Sequence, residues 1–207
     1  KLVYQPPEEA TYSEDGKYFE IIWLKTRLGN RIPAFHIDTP KSRFMVLYSH
    51  GNAEDLGIAH GWASEFCQRL GVSMFAYDYS GYGLADGKSS EKATYADVEA
   101  AYKYCVEDLR IPTTRMVLYG RSLGSGPTVE LASKLGPAGC LAVVLHTPLA
   151  SAFRVAVNVG FTMPGDMYAS IDKAAKVTYP TVILHGTADE VVPYAHGTKL
   201  QAALPDA

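Results

Sequence analysis

The sequence is poor in the features that mark cross-linked, metal-held or membrane-spanning chains. It has three cysteines, Cys67, Cys105 and Cys140, an odd number with no C-x-x-C pair. A disulfide framework is therefore not expected, and a reducing compartment suits the chain better. The ordinary role of such thiols is that of small buried hydrophobes. No stretch approaches the ~18 consecutive apolar residues of a membrane-spanning helix. Lys1 to Pro7 lacks the apolar core of a secretory signal. Net charge is only −3, and no run reaches five like charges. Phosphate backbones need clustered lysine and arginine, so no nucleic-acid partner is expected. A polybasic membrane segment is missing for the same reason. Histidines and carboxylates match no zinc spacing such as H-E-x-x-H, and no phosphate-binding glycine loop occurs in a suitable context. Neither metal nor cofactor is expected.

What is present is enough apolar material for one core: 47% of 207 residues are hydrophobic. A chain of this size buries roughly 70% of its unfolded surface. Residues 1–16, rich in Pro, Glu and Ser, read as an irregular lead-in, and residues 17–207 as a single domain. Tyr18–Lys25 and Arg31–Ile37, separated by Gly29-Asn30, form a hairpin pattern. Short apolar runs follow at 44–48, 72–77, 116–119, 141–145 and 181–184, each the length of a strand buried on both faces. Helical segments fall between them at 59–70, 91–109 and 123–135, with shorter ones at 173–177 and 194–203. This alternation predicts an α/β fold: a mostly parallel sheet, helices on both faces and an antiparallel hairpin at one edge. Ligands in such sheets bind beyond the carboxyl ends of the strands.

Polar and glycine-rich residues gather at those ends. Gly120-Arg121-Ser122-Leu123-Gly124 is a G-x-S-x-G sequence between an apolar strand and a helical segment. That context makes Ser122 a candidate nucleophile on a sharp elbow, although a plain helix-capping serine has the same local appearance. The backbone N–H of Leu123 is placed to face a developing oxyanion. The second donor comes from the loop after the third strand, here His50-Gly51-Asn52-Ala53, and the backbone N–H of Asn52 is the candidate. Asp189, just past the 181–184 strand, is the candidate acid, with Glu190 as its neighbouring alternative. The general base should follow the acid in chain order. His196 is too close to Asp189 to follow another strand. His50 and His185 read better as loop anchors. The catalytic histidine, with a last strand and helix, is therefore expected beyond Ala207. Tyr79 and Tyr82 are candidate walls of a substrate pocket. Asp78 and Asp86 read as solvated loop residues. The apolar segment 150–163 serves equally as a small lid or as core.

The segments His50–Gly57, Tyr77–Gly83, Tyr119–Gly124, Val144–Leu149 and Leu184–Val191 together resemble one branch of the α/β-hydrolase superfamily. It is the branch of the type-seventeen α/β-hydrolase domain proteins, and the likeness runs from about Pro6 to Ala207. It implies an α/β-hydrolase fold and a cytoplasmic, membrane-associated serine thioesterase that removes palmitate from protein cysteines. It also implies Ser122 as nucleophile, Asp189 as acid and a histidine downstream. Acyl esters or acylated proteins are the implied substrates. Serine peptidases of the prolyl-oligopeptidase clan are catalogued nearby. A peptidase, or a non-catalytic binding protein on the same scaffold, are the competing readings, because fold alone does not set substrate.

Overall fold

The structure, a computed structural model, describes residues 3–153 and 165–207. Among the described residues, seven strands form one sheet: β1 (Ile22–Lys25), β2 (Arg31–Ile37), β3 (Met45–Ser49), β4 (Ser73–Tyr77), β5 (Met116–Arg121), β6 (Ala142–His146) and β7 (Thr181–Leu184). Their order is β1-β2-β4-β3-β5-β6-β7. The β1–β2 and β2–β4 pairs are antiparallel, and all the others are parallel. The expected hairpin thus sits at one edge of a mostly parallel sheet, and β7 forms the other edge among the described residues.

Helices α1 (Leu56–Leu70), α2 (Glu91–Glu107), α3 (Ser125–Lys134), α4 (Ser170–Lys173) and α5 (Ala195–Ala203) lie between or after the strands. Strand side chains alternate between faces, so two cores form. Leu47, Phe75, Leu118, Val143 and Leu145 point toward α2 and α3, joining Val98, Ala101, Cys105 and Val129. Val46, Tyr48, Met74, Ala76 and Tyr119 point the other way, onto Leu56, Ala59, Ala63 and Cys67 of α1.

Element boundaries shift by a few residues from the sequence expectation, three of them for a plain local reason. Pairing in β1 starts at Ile22 rather than Tyr18. Tyr18 is exposed, and Phe19 turns away to stack near Tyr12, Phe35 and His60. Helix α1 begins three residues before Ala59, because Asp55 caps it by accepting the amides of Gly57 and Ile58. The helix expected from Leu123 starts with a single tight turn, Ser122–Gly124, before α3 proper. The lead-in has no helix or strand in its described part, yet it is docked. The Thr11 amide donates to Asp55 Oδ2 at 2.8 Å, and the Tyr12 hydroxyl donates to Asp78. Most of the apolar segment 150–163 lies outside the described residues. Among the described residues, no helix is long and apolar enough to cross a membrane.

Candidate active site

Strand β5 delivers Ser122 directly. It is buried between β3 and β6, with Ser49 opposite Gly120 and His146 opposite Arg121. Ser122 itself has φ of 49°, in the left-handed region that few side chains tolerate. Such strain persists only where the surroundings enforce it. Here they do. The Ser125 hydroxyl donates to the Ser122 carbonyl at 2.6 Å and accepts the Leu149 amide at 3.0 Å. On the next turn, a Cβ at Gly124 would run into the carbonyls of Ser49 and His50, so the elbow seats against the end of β3 only with glycine there. Leu123 is buried at the start of this turn, where a helix N-terminus leaves free amides.

The loop after β3 holds His50, Gly51 and Asn52 beside the elbow. Its position is set from behind. Tyr79 donates to the His50 carbonyl at 2.6 Å, and Tyr82 donates to Asn52 Oδ1 at 2.6 Å. The Asn52 side chain also accepts the Gln5 amide and donates to the Val3 carbonyl. Tyr79 and Tyr82 are both 0% exposed. They stand behind the loop that carries Asn52, rather than walling an open pocket as their composition suggested. A period-two or loop pattern carries no signal for this, because it does not say which hydroxyls meet which carbonyls.

Asp78 also departs from its expected place in a solvated loop. It is 0% exposed and accepts the Leu56 amide at 3.0 Å and the Tyr12 hydroxyl. His50 Nε2 lies 3.3 Å from its Oδ1, while His50 Nδ1 donates to the Gly51 carbonyl at 2.8 Å. Burial pushes the Asp78 carboxyl up, against the pull of His50 and Tyr12. Asp86, by contrast, is an exposed loop residue that accepts the Arg31 amide.

Asp189 stands in the loop beyond β7. Its Oδ1 accepts the amides of Val191 and Val192 at 2.9 and 2.8 Å, which fixes the carboxylate in its turn. Its Oδ2 lies 3.8 Å from His185 Nε2. Glu190 is exposed. The sheet register relates this loop to the elbow: Arg121 pairs with His146, and His146 pairs with Leu184. Two strand spacings, roughly 10 Å, thus separate the strand ends from which Ser122 and the Asp189 loop depart. His146 lies between them. Burial and then the Arg121 and His185 charges push its imidazole down, while Asp189 pulls it up.

The six histidines of the chain have other engagements. His50 and His185 do anchor loops, as expected: His185 Nε2 donates to the Val192 carbonyl at 2.8 Å. His146 shares a 3.0 Å hydrogen bond with the Tyr119 hydroxyl, and His196 Nδ1 accepts the Ala150 amide at 3.1 Å. His60 packs between Phe19 and Phe35, and His36 lies on β2 against Phe75. The three cysteines are free and buried, and burial pushes Cys67 up to about 11 and Cys140 up to about 12. Thiols held this far from thiolate are poor nucleophiles.

Comparison with known proteins agrees with the fold. A family model described as serine aminopeptidase, S33, matches residues 40–167. The chain is 40% identical over 190 residues to α/β-hydrolase domain-containing protein 17C of Mus musculus, covering 91% of this chain and 58% of that protein. It is 45% identical over 190 residues to the Xenopus tropicalis 17C protein, covering 91% of this chain and 60% of that one. The chain therefore spans less than two thirds of the length of these relatives. A solved esterase from Pyrococcus furiosus superposes with a TM-score of 0.76 at 16% identity, covering all of this chain and 85% of the esterase. An α/β hydrolase from Vibrio vulnificus gives 0.73 at 20% identity, covering 92% of this chain and 70% of its own. By the matched family model and by these relatives, this chain belongs to the α/β-hydrolase family, beside the domain-containing proteins of type seventeen.

Proposed function

We propose that the chain carries the nucleophile, oxyanion donors and acid of a serine hydrolase that cleaves acyl esters or thioesters. The observation that carries this reading is Ser122 at φ 49° on a strand–turn–helix elbow braced by its neighbours. Strain of this kind has a use when it projects a hydroxyl above the sheet edge. In this reading the Ser122 Oγ attacks the acyl carbonyl and passes its proton to a histidine. The amides of Asn52 and Leu123 take the negative charge of the carbonyl oxygen. Collapse expels the alcohol or thiol, protonated by that histidine, and leaves an acyl-serine. Water then attacks the ester, the histidine accepts its proton, and the free acid departs. Asp189 orients the histidine and stabilises its charged form. The base is the histidine that the family resemblance implies downstream of Ala207.

The same resemblance supports palmitoylated protein cysteines as substrates, met at the cytoplasmic side of a membrane surface. The description of the matched family model favours a second reading, hydrolysis of peptide amides by the same triad. Two measurements on the full-length protein decide. A fluorophosphonate probe should label the wild type and not Ser122→Ala; equal labelling of both would remove Ser122 from the mechanism. Turnover of p-nitrophenyl acyl esters well above that of short peptide amides supports the esterase reading, and the reverse order supports the peptidase.

A further inference from the structure

The elbow and the loop after β3 are joined by one carboxylate oxygen. Glu54 Oε1 accepts the buried Gly51 amide at 2.7 Å and the Arg121 Nη1 at 2.9 Å. Gly51 immediately precedes Asn52, and Arg121 immediately precedes Ser122. The Glu54 side chain is only 11% exposed, whereas that of Arg121 is 48% exposed. A Cβ on Gly51 would lie 2.6 Å from Glu54 Oε1, so a side chain there would push the carboxylate off the amide it accepts. Burial in this position costs a lone carboxylate its hydration, and a nearby arginine offsets that cost.

We propose that Glu54 and Arg121 form a positioning pair that sets the distance between the two oxyanion donors and keeps that site electrically neutral. The proposal deepens the serine-hydrolase reading and rests on it. Glu54 ties down the peptide next to Asn52, one of the two proposed donors. Arg121 ties the same oxygen to the strand end that carries Ser122 and Leu123. The electrostatic consequence has a definite sign. The reaction builds negative charge beside Asn52. A Glu54 carboxylate stripped of its arginine would oppose that charge, because like charges close together in a partly buried site repel strongly. Removing the carboxylate charge while keeping an acceptor for the Gly51 amide is milder.

The two variants should therefore be unequal and should not add. In the full-length protein, with a p-nitrophenyl acyl ester as substrate, Arg121→Gln should lower kcat about tenfold or more with KM little changed. This is below the ~10²–10³ lost with an oxyanion donor itself, because the donors are displaced rather than deleted. Glu54→Gln should lower kcat by about threefold or less, since glutamine still accepts the Gly51 amide. The double variant should recover to near the Glu54→Gln level, as coupled sites do. Arg121→Lys should recover part of the loss by restoring the charge without the planar guanidinium. Thermal melts of all four accompany the kinetics, because a merely structural pair would shift Tm and leave kcat of the folded fraction unchanged. A double variant as slow as the product of the two singles, or wild-type kcat in Arg121→Gln, would overturn the proposal while the hydrolase reading stands. Absence of Ser122-dependent turnover in the wild type would remove both.

Discussion

Asp78 is an acid placed where water cannot reach it, and each of its neighbours depends on it. Leu56 at the start of α1, Tyr12 of the lead-in and His50 of the site loop all point their polar atoms at this one carboxylate. Asp78→Ala would leave an amide, a hydroxyl and an imidazole buried without their acceptor. The expected loss is ~3–5 kcal/mol of stability, the range for breaking a buried network by removing one partner, measured by urea unfolding. Tyr79→Phe is a gentler probe of the same region. It deletes one hydrogen bond, that to the His50 carbonyl, and should cost about 1 kcal/mol. Because that carbonyl belongs to the loop carrying Asn52, ester turnover should fall in Tyr79→Phe even where the protein remains folded. Unchanged turnover would mean that Tyr79 only fills space.

At the scale of elements, the two long helices are started by different amounts of capping. Ser90 accepts one amide, that of Ala93, at the start of α2. Asp55 accepts the amides of Gly57 and Ile58 at the start of α1 and, in addition, the backbone and hydroxyl of Thr11. Its cap therefore also fastens the lead-in to the start of α1. Ser90→Ala should cost about 1 kcal/mol, as for an ordinary cap. Asp55→Ala should cost about 2–3 kcal/mol, a cap plus the lost lead-in bonds. Equal losses in the two variants, by chemical unfolding, would show that the lead-in contributes nothing through this contact.

For the molecule as a whole, pH acts through a group remote from the elbow. Asp97 on α2 is 0% exposed and accepts the Ser80 amide and hydroxyl, both at 2.8 Å. Burial pushes its carboxyl up to about 7, more than the two Ser80 donors pull it down. In the unfolded chain an aspartate titrates near ~3.9, so the folded state holds this proton more tightly. Its contribution to stability is then full below pH ~4 and is lost as pH rises through about 7. The span of that loss is on the order of 4 kcal/mol, from ~1.4 kcal/mol per pKa unit. Asp97→Asn should remove this slope, so that wild type gains on the variant at pH 5 and loses ground to it at pH 8. A stability difference that is the same at both pH values would refute the linkage.

Much of this protein was legible before its coordinates. Apolar runs of strand length alternating with amphipathic segments required a mostly parallel sheet, because only helical crossovers can return a buried strand to the same direction. The spacing of Gly120, Ser122 and Gly124 between a strand and a helix located the elbow, since local sterics there are written in adjacent residues. Ser122 and Asp189 each follow a strand-length apolar run, which placed both beyond strand ends. The tertiary structure alone decided what stands behind them. Strand order made neighbours of the β5, β6 and β7 ends, and with them of Arg121 and His146. Folding carried Glu54 to Arg121, Tyr79 to the His50 carbonyl, and Asp78 from an apparent loop into a dry network. These contacts join residues 22 to 67 positions apart. Such pairings depend on how the loops fall across a finished sheet, and no local pattern of residues encodes them.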